Sequence, residues 1–230
     1  MRITFILAAA ALSGCAVHLK TDNVQHNIAV TQSEFFHQLK PRVRHKLVNS
    51  LFSNFTVHFF YMFNDTEFEA GCEFTSNFLS SLYSSLYLPE NEIVGYGDRF
   101  EELVMIQEGI ISLQVANVDS EDPNACYEFF ILPTFSYCGD YQILFDLQSQ
   151  IVYKAGSNRV LVTMCVAKDK LLELMEDFPE ARKYYFERAW ERRIEFRRQL
   201  KLFRHKLEGI DMFQIRHEMS DHKVLFGEQS

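Results

Sequence analysis

Leu88-Pro89-Glu90-Asn91-Glu92-Ile93-Val94-Gly95-Tyr96-Gly97-Asp98 leads shortly into Leu103-Val104-Met105-Ile106-Gln107-Glu108-Gly109-Ile110-Ile111-Ser112-Leu113-Gln114-Val115, and this stretch decides the fold. Its apolar runs are too short for helices and are bounded by turn residues. Pro89-Glu90-Asn91 reads as one turn and Gly95-Tyr96-Gly97-Asp98 as another, since glycine supplies positive φ at little cost. Ile93-Val94, 103–106 and 110–115 are therefore predicted strands, the last two joined at Glu108-Gly109. Downstream, a polar loop over 119–124 contains Pro123, and further strands are predicted over 127–132, 150–155 and 159–165. Short strands with frequent turns and no intervening helices mean a sandwich, roll or barrel rather than βαβ units.

On both sides of this region the period becomes helical. Upstream, Phe74, Phe78, Leu79, Leu82 and Leu86 share one face of a helix predicted over 67–86. Pro41 suits a first helical turn, and Val43, Leu47 and Val48 follow at helical spacing. Residues 21–38 read as a helix or linker. Downstream, Leu171, Leu172, Leu174 and Met175 mark a short helix that stops before Pro179. A long helix follows, with Phe186, Trp190 and Ile194 stepping by four, then Phe196, Leu200, Phe203 and Leu207, and Gly209 as its stop. The fold class is α+β: an antiparallel β-roll, or double-stranded jelly roll, between helical flanks.

The chain has 230 residues, 47% of them hydrophobic, with 22 Phe, so it has ample apolar surface for a core. Its net charge of −8 argues against a nucleic-acid binder. That charge is uneven: residues 180–208 hold ten Lys or Arg against five Glu, a local basic surface on the late helix. Glu187, Glu191 and Glu195 recur there at steps of four, the spacing of a solvated helix with i,i+4 pairs. The five cysteines, Cys15, Cys72, Cys126, Cys138 and Cys165, read as scattered thiols of a reducing compartment, because none are at metal-ligand spacing.

Residues 1–20 form a separate apolar segment. Leu12-Ser13-Gly14-Cys15 after the run over 3–12 has the layout of a bacterial lipobox, which would make Cys15 the lipidated start of an exported protein. The competing reading is a truncated gene start. The eight His show no H-E-x-x-H spacing, and neither a G-x-S-x-G nor a Walker pattern is present. The residues give no support to an enzyme.

Four stretches in order resemble one family, the C-linker and cyclic-nucleotide-binding homology domain of voltage-gated potassium and cyclic-nucleotide-gated channels. Leu39–Val48 resembles its L-P-x-x-L-R-x-x-L linker helix, with Arg44 at the Arg. Phe59-Phe60 and the helix to Leu86 resemble the segment that leads into the roll. Tyr87 to Gly109 resembles Y-x-P-G-D-x-I … G-D … M-Y-F-I-x-x-G. Tyr137-Cys138-Gly139-Asp140 resembles F-F-G-E, followed by Tyr153-Lys154-Ala155 and Asp177-Phe178-Pro179. The resemblance spans about 35–207. It implies linker helices over 21–66, a cyclic-nucleotide-binding-type domain over 67–208 with a C-terminal lid helix, and a tail over 209–230.

The resemblance also implies a ligand site. In the family, the backbone at a Gly-Glu pair receives the cyclic phosphate, Glu accepts from the ribose 2′-hydroxyl, and an Arg nine residues on contacts the phosphate. Carried over, Gly139 keeps the backbone approach. Asp140 stands for the Glu, one methylene shorter, with Tyr141 beside it. The Arg position falls on Ser149, followed by Gln150. A neutral Ser cannot fork onto a phosphate. Losing such a charged partner costs about 2–5 kcal/mol, roughly thirty- to several-thousand-fold in affinity. Lys154 and Arg159 are the nearby cations, and Lys154 alternates to the strand face opposite Ser149.

Two outcomes remain open: cAMP or cGMP bound weakly, or a degenerate pocket that is empty, self-filled or used by another ligand. Val224-Leu225-Phe226 is a candidate internal ligand. By the same resemblance Trp190 and Ile194 are the lid residues over the roll. The implied assembly is a tetramer through the linker helices, coupled to a pore, as the cytosolic part of a membrane channel. The alternative is a stand-alone sensor or scaffold comparable to a kinase regulatory subunit.

Overall fold

The computed structural model describes residues 27–31, 33–59, 62–63, 71–116 and 126–207. The first helices are α1 (Glu34–Gln38), α2 (Pro41–Leu51), α3 (Ser53–His58) and α4 (Gly71–Ser80). The roll follows as β1 (Tyr83–Tyr87), β2 (Glu92–Val94), β3 (Glu102–Glu108), β4 (Ile111–Ala116), β5 (Cys126–Leu132) and β6 (Tyr137–Cys138). A short helix α5 (Asp140–Leu144) then precedes β7 (Val152–Ala155) and β8 (Leu161–Ala167). Helices α6 (Lys168–Asp177) and α7 (Pro179–Leu207) complete it. The α+β architecture is the one the sequence predicts. Residues 1–15 and Val224-Leu225-Phe226, with the readings attached to them, lie outside the described residues.

Two antiparallel sheets, in the orders β1-β8-β3-β6 and β2-β7-β4-β5, build the roll. Strands β3 and β8 are buried on both faces, between the roll interior and α6, so their sequences are continuous apolar runs without alternation. Strand β5 ends its sheet and leaves Tyr127, Phe130 and Ile131 exposed. Helix α2 opens on Pro41 as expected, and α7 opens on Pro179 after an extended Phe178.

One element departs from expectation. The helix predicted over 67–86 ends at Ser80, and the next residues form β1, paired with β8 from Tyr83↔Cys165 to Tyr87↔Leu161. Ser80 and Ser81 hydroxyls donate back to the Ser76 and Asn77 carbonyls at 2.8 Å, which favours a helix end there. Tyr83 and Tyr87 hydroxyls both donate to Glu102 across the sheet. Leu86, assigned to the buried helix face, is instead 54% exposed.

The phenylalanines explain how the helices join the roll. Phe55 packs on Phe59 at 4.7 Å, Phe63 on Phe78 at 5.2 Å, and Phe74 on Tyr185 of α7 at 5.3 Å. The Tyr185 hydroxyl donates to the Met62 carbonyl. Helices before the roll, the roll itself and α7 thus share one continuous core. Among the described residues no helix is long and apolar enough to cross a membrane.

Candidate functional site

Short strand β6 pairs with β3 through Val104↔Cys138 and Met105↔Tyr137, then the chain turns sharply at Gly139. Gly139 has φ 98°, and a Cβ there would lie 2.9 Å from the Glu102 carbonyl and 2.7 Å from the Phe100 ring. Only glycine fits both the left-handed backbone and the close pass against β3. That turn places Asp140 in the first turn of α5, almost fully buried.

The partner of Asp140 comes from the other end of the sequence. Arg192 of α7 donates from Nη1 to Asp140 Oδ2 at 3.0 Å and from Nη2 to the Tyr137 carbonyl at 3.0 Å. Its guanidinium also lies 3.8 Å from the centre of the Tyr137 ring, a stacked cation–π contact. Burial pushes the Asp140 carboxyl above the ordinary carboxylate range, and Arg192 with the N–H groups of Tyr141 and Asp140 opposes that rise. Among the described residues Asp140 Oδ1 is buried without a hydrogen-bond partner.

Around this ion pair, α7 covers the roll with aromatic side chains. Phe196 lies 5.7 Å from Phe129 of β5 and 5.8 Å from Tyr141, and Phe203 lies 5.2 Å from Phe129. Phe129, Tyr141 and Phe196, together with Leu113, Tyr153 and Gln199, line a cavity of about 240 Å³ that includes Asp140 and Arg192. Tyr153 is fully buried, edge-on to Phe100 at 5.0 Å, and its hydroxyl accepts from Gln142 Nε2 at 3.0 Å. Among the described residues the cavity is thus walled mostly by apolar surface, with Arg192 its one cation.

Of the residues expected at the site, Gly139, Asp140 and Tyr141 stand together at α5. Ser149 does not line the cavity. It is buried in the roll wall, where its hydroxyl donates to the Ile151 carbonyl at 2.6 Å and its N–H to the Asp98 carbonyl at 2.8 Å. These bonds also delay β7, which begins at Val152 rather than at Gln150. Gln150 is exposed. Neither Lys154 nor Arg159 lines the cavity.

Trp190 and Ile194, expected as lid residues, are 49% and 53% exposed. Trp190 packs on Phe145, just after α5, at 5.7 Å. Arg192, Glu195, Phe196 and Gln199 of α7 line the cavity, and Phe203 packs on Phe129 of β5. Phe196, Leu200 and Phe203 belong to the apolar row read from the sequence; Tyr185, Ala189 and Arg192, which that reading missed, continue it by threes and fours, with Arg192 the one charge in the stripe.

The solved structures this chain resembles include cyclic-nucleotide-binding domains. One from Methylobacillus flagellatus is 11% identical over 65% of this chain and 83% of its own, with a TM-score of 0.49. The regulatory domain of Toxoplasma gondii PKA, solved with cAMP, is 13% identical over 62% of this chain, with a TM-score of 0.48. This chain spans 50% of that Toxoplasma chain. The Thermus thermophilus catabolite activator protein is 17% identical over 57% of this chain and 59% of its own, with a TM-score of 0.46. No protein-family model matches the sequence, and no curated protein matches it. The ligand question rests on the side chains of this chain.

Proposed function

We propose that the chain is the regulatory, non-enzymatic module of a channel-type protein, built on a cyclic-nucleotide-binding-type roll whose pocket is latched shut by its own lid helix. The Arg192–Asp140 pair carries the reading. A cyclic phosphate entering the cavity would meet one cation, already paired, and a buried carboxylate of its own sign. To bind it, Arg192 would exchange partners and leave Asp140 charged, buried and alone, which is strongly unfavourable. Asp140 Oδ1 remains an open acceptor, so the ribose half of a nucleotide site persists without its phosphate half. The channel part of the proposal rests on the resemblance of Leu39–Val48 to the linker helix. The packing of α2 against α4 supports it by placing that helix on the body of the domain.

Two measurements test the proposal. Titration with cAMP and cGMP at micromolar concentration leaves the melting temperature unchanged; a ligand-dependent rise overturns the latched pocket. Light scattering on the eluting chain gives a tetramer, the assembly of the channel reading. A monomer would favour a stand-alone sensor or scaffold instead.

A further inference from the structure

A second groove, of about 300 Å³, opens between α2, α4 and α6, where the linker helices meet the roll. Its walls bring together Arg44 and His45 of α2, Ser76 and Asn77 of α4, and Lys170 of α6; among the described residues Asp177 is its one acid. In a chain of net charge −8, this convergence of cations from two helices calls for an explanation. Arg44 is half-buried, and its side chain has no hydrogen-bond or ion-pair partner among the described residues. Lys170 pairs with Glu173 at 2.8 Å, but both side chains are about half exposed, so the pair is weak and the ammonium can turn away.

Ser76 supplies an independent observation. It is 1% exposed, and among the described residues its hydroxyl is buried without a hydrogen-bond partner. An unmet buried hydroxyl is costly and marks a missing partner. A group with several acceptor oxygens and a negative charge would satisfy the arginine fork, the lysine and this hydroxyl together.

We propose that the groove binds a phosphate group, held by Arg44 and Lys170, with the Ser76 hydroxyl completing the set. Arg44 sits on the linker side and Lys170 on the roll side, so an occupied groove ties the two together. The site is independent of the latched cavity, because none of these residues lines it.

The test is titration of inorganic phosphate and pyrophosphate into the full chain at constant ionic strength, with chloride as the matched control. Phosphate raises the melting temperature above the chloride control. Arg44→Gln and Lys170→Gln each weaken binding about tenfold or more while leaving the ligand-free melting temperature unchanged. Ser76→Ala also weakens binding, yet raises the ligand-free melting temperature by removing the unmet hydroxyl, so lost binding cannot be put down to misfolding. The absence of a phosphate-specific rise overturns the proposal, as does a rise that all three variants retain. Co-sedimentation identifies the source of the phosphate. Pelleting with phosphatidylcholine vesicles that contain phosphatidic acid, and not with phosphatidylcholine alone, assigns it to a lipid headgroup; no pelleting with either assigns it to a soluble phosphate compound.

Discussion

Replacing Arg192 with Ala lowers the stability of the chain by about 2–4 kcal/mol in urea unfolding. Removing one partner of a buried ion pair costs roughly 3–5 kcal/mol, because the other charge is left uncompensated. Arg192 keeps 35% of its side-chain surface, so the expected loss is discounted for solvent screening. The pH dependence identifies the stranded group. Burial holds the folded-state pKa of Asp140 above its unfolded value, so this group favours folding below the ordinary carboxylate range. That contribution is lost as pH rises through the raised folded value. Without Arg192 the rise is larger, so the deficit of the variant is smallest in acid and grows toward neutrality. Adding Asp140→Asn to Arg192→Ala recovers part of the loss. A deficit that stays flat with pH and unrelieved in the double variant would show that Arg192 acts through packing alone.

Gly139→Ala is expected to be about as damaging, at roughly 2–5 kcal/mol. A non-glycine residue held in left-handed backbone costs about 1–2 kcal/mol, and overpacking a tight site adds about 1–3 kcal/mol. The new Cβ would press on the Glu102 carbonyl and the Phe100 ring, and backbone cannot swing aside as a side-chain end can. The strain falls at the start of α5, so the variant also moves Asp140 relative to Arg192. Near-ultraviolet circular dichroism should lose the signature of the packed aromatic lid before the far-ultraviolet signal changes. A variant as stable as the parent would mean that Gly139 is not under the constraint its φ implies.

How much of this was legible in sequence depends on how local each cause is. Strands β3 and β8 can be read because their apolar runs end at glycine and polar turns. Strand β1 cannot, since Tyr83-Ser84-Ser85-Leu86-Tyr87 continues the spacing of Phe78, Leu79 and Leu82; the deciding partner is β8, far along the chain. Gly139-Asp140 is legible as a motif, and Ser149 as the absence of a cation. Arg192 is hidden among the many cations of its helix and lies 52 residues from Asp140. Trp190 and Ile194 lie on a row of steps of four, which advances about 40° per step and walks off the buried face. The stripe that alternates threes and fours stays on it.

The length of α7 has a mechanical consequence. Its 29 residues extend about 43 Å along the axis. Near the N-terminal end, Tyr185 is anchored in the phenylalanine cluster and tied to Met62; toward the other end, Phe203 rests on β5. Such a rod is a lever whose fulcrum lies among the helices that precede the roll. Prying up its far end breaks few contacts, yet the torque arrives at the near end, where the chain leads back toward α2. The latch at Arg192 stands between the two and sets the force needed to start the swing.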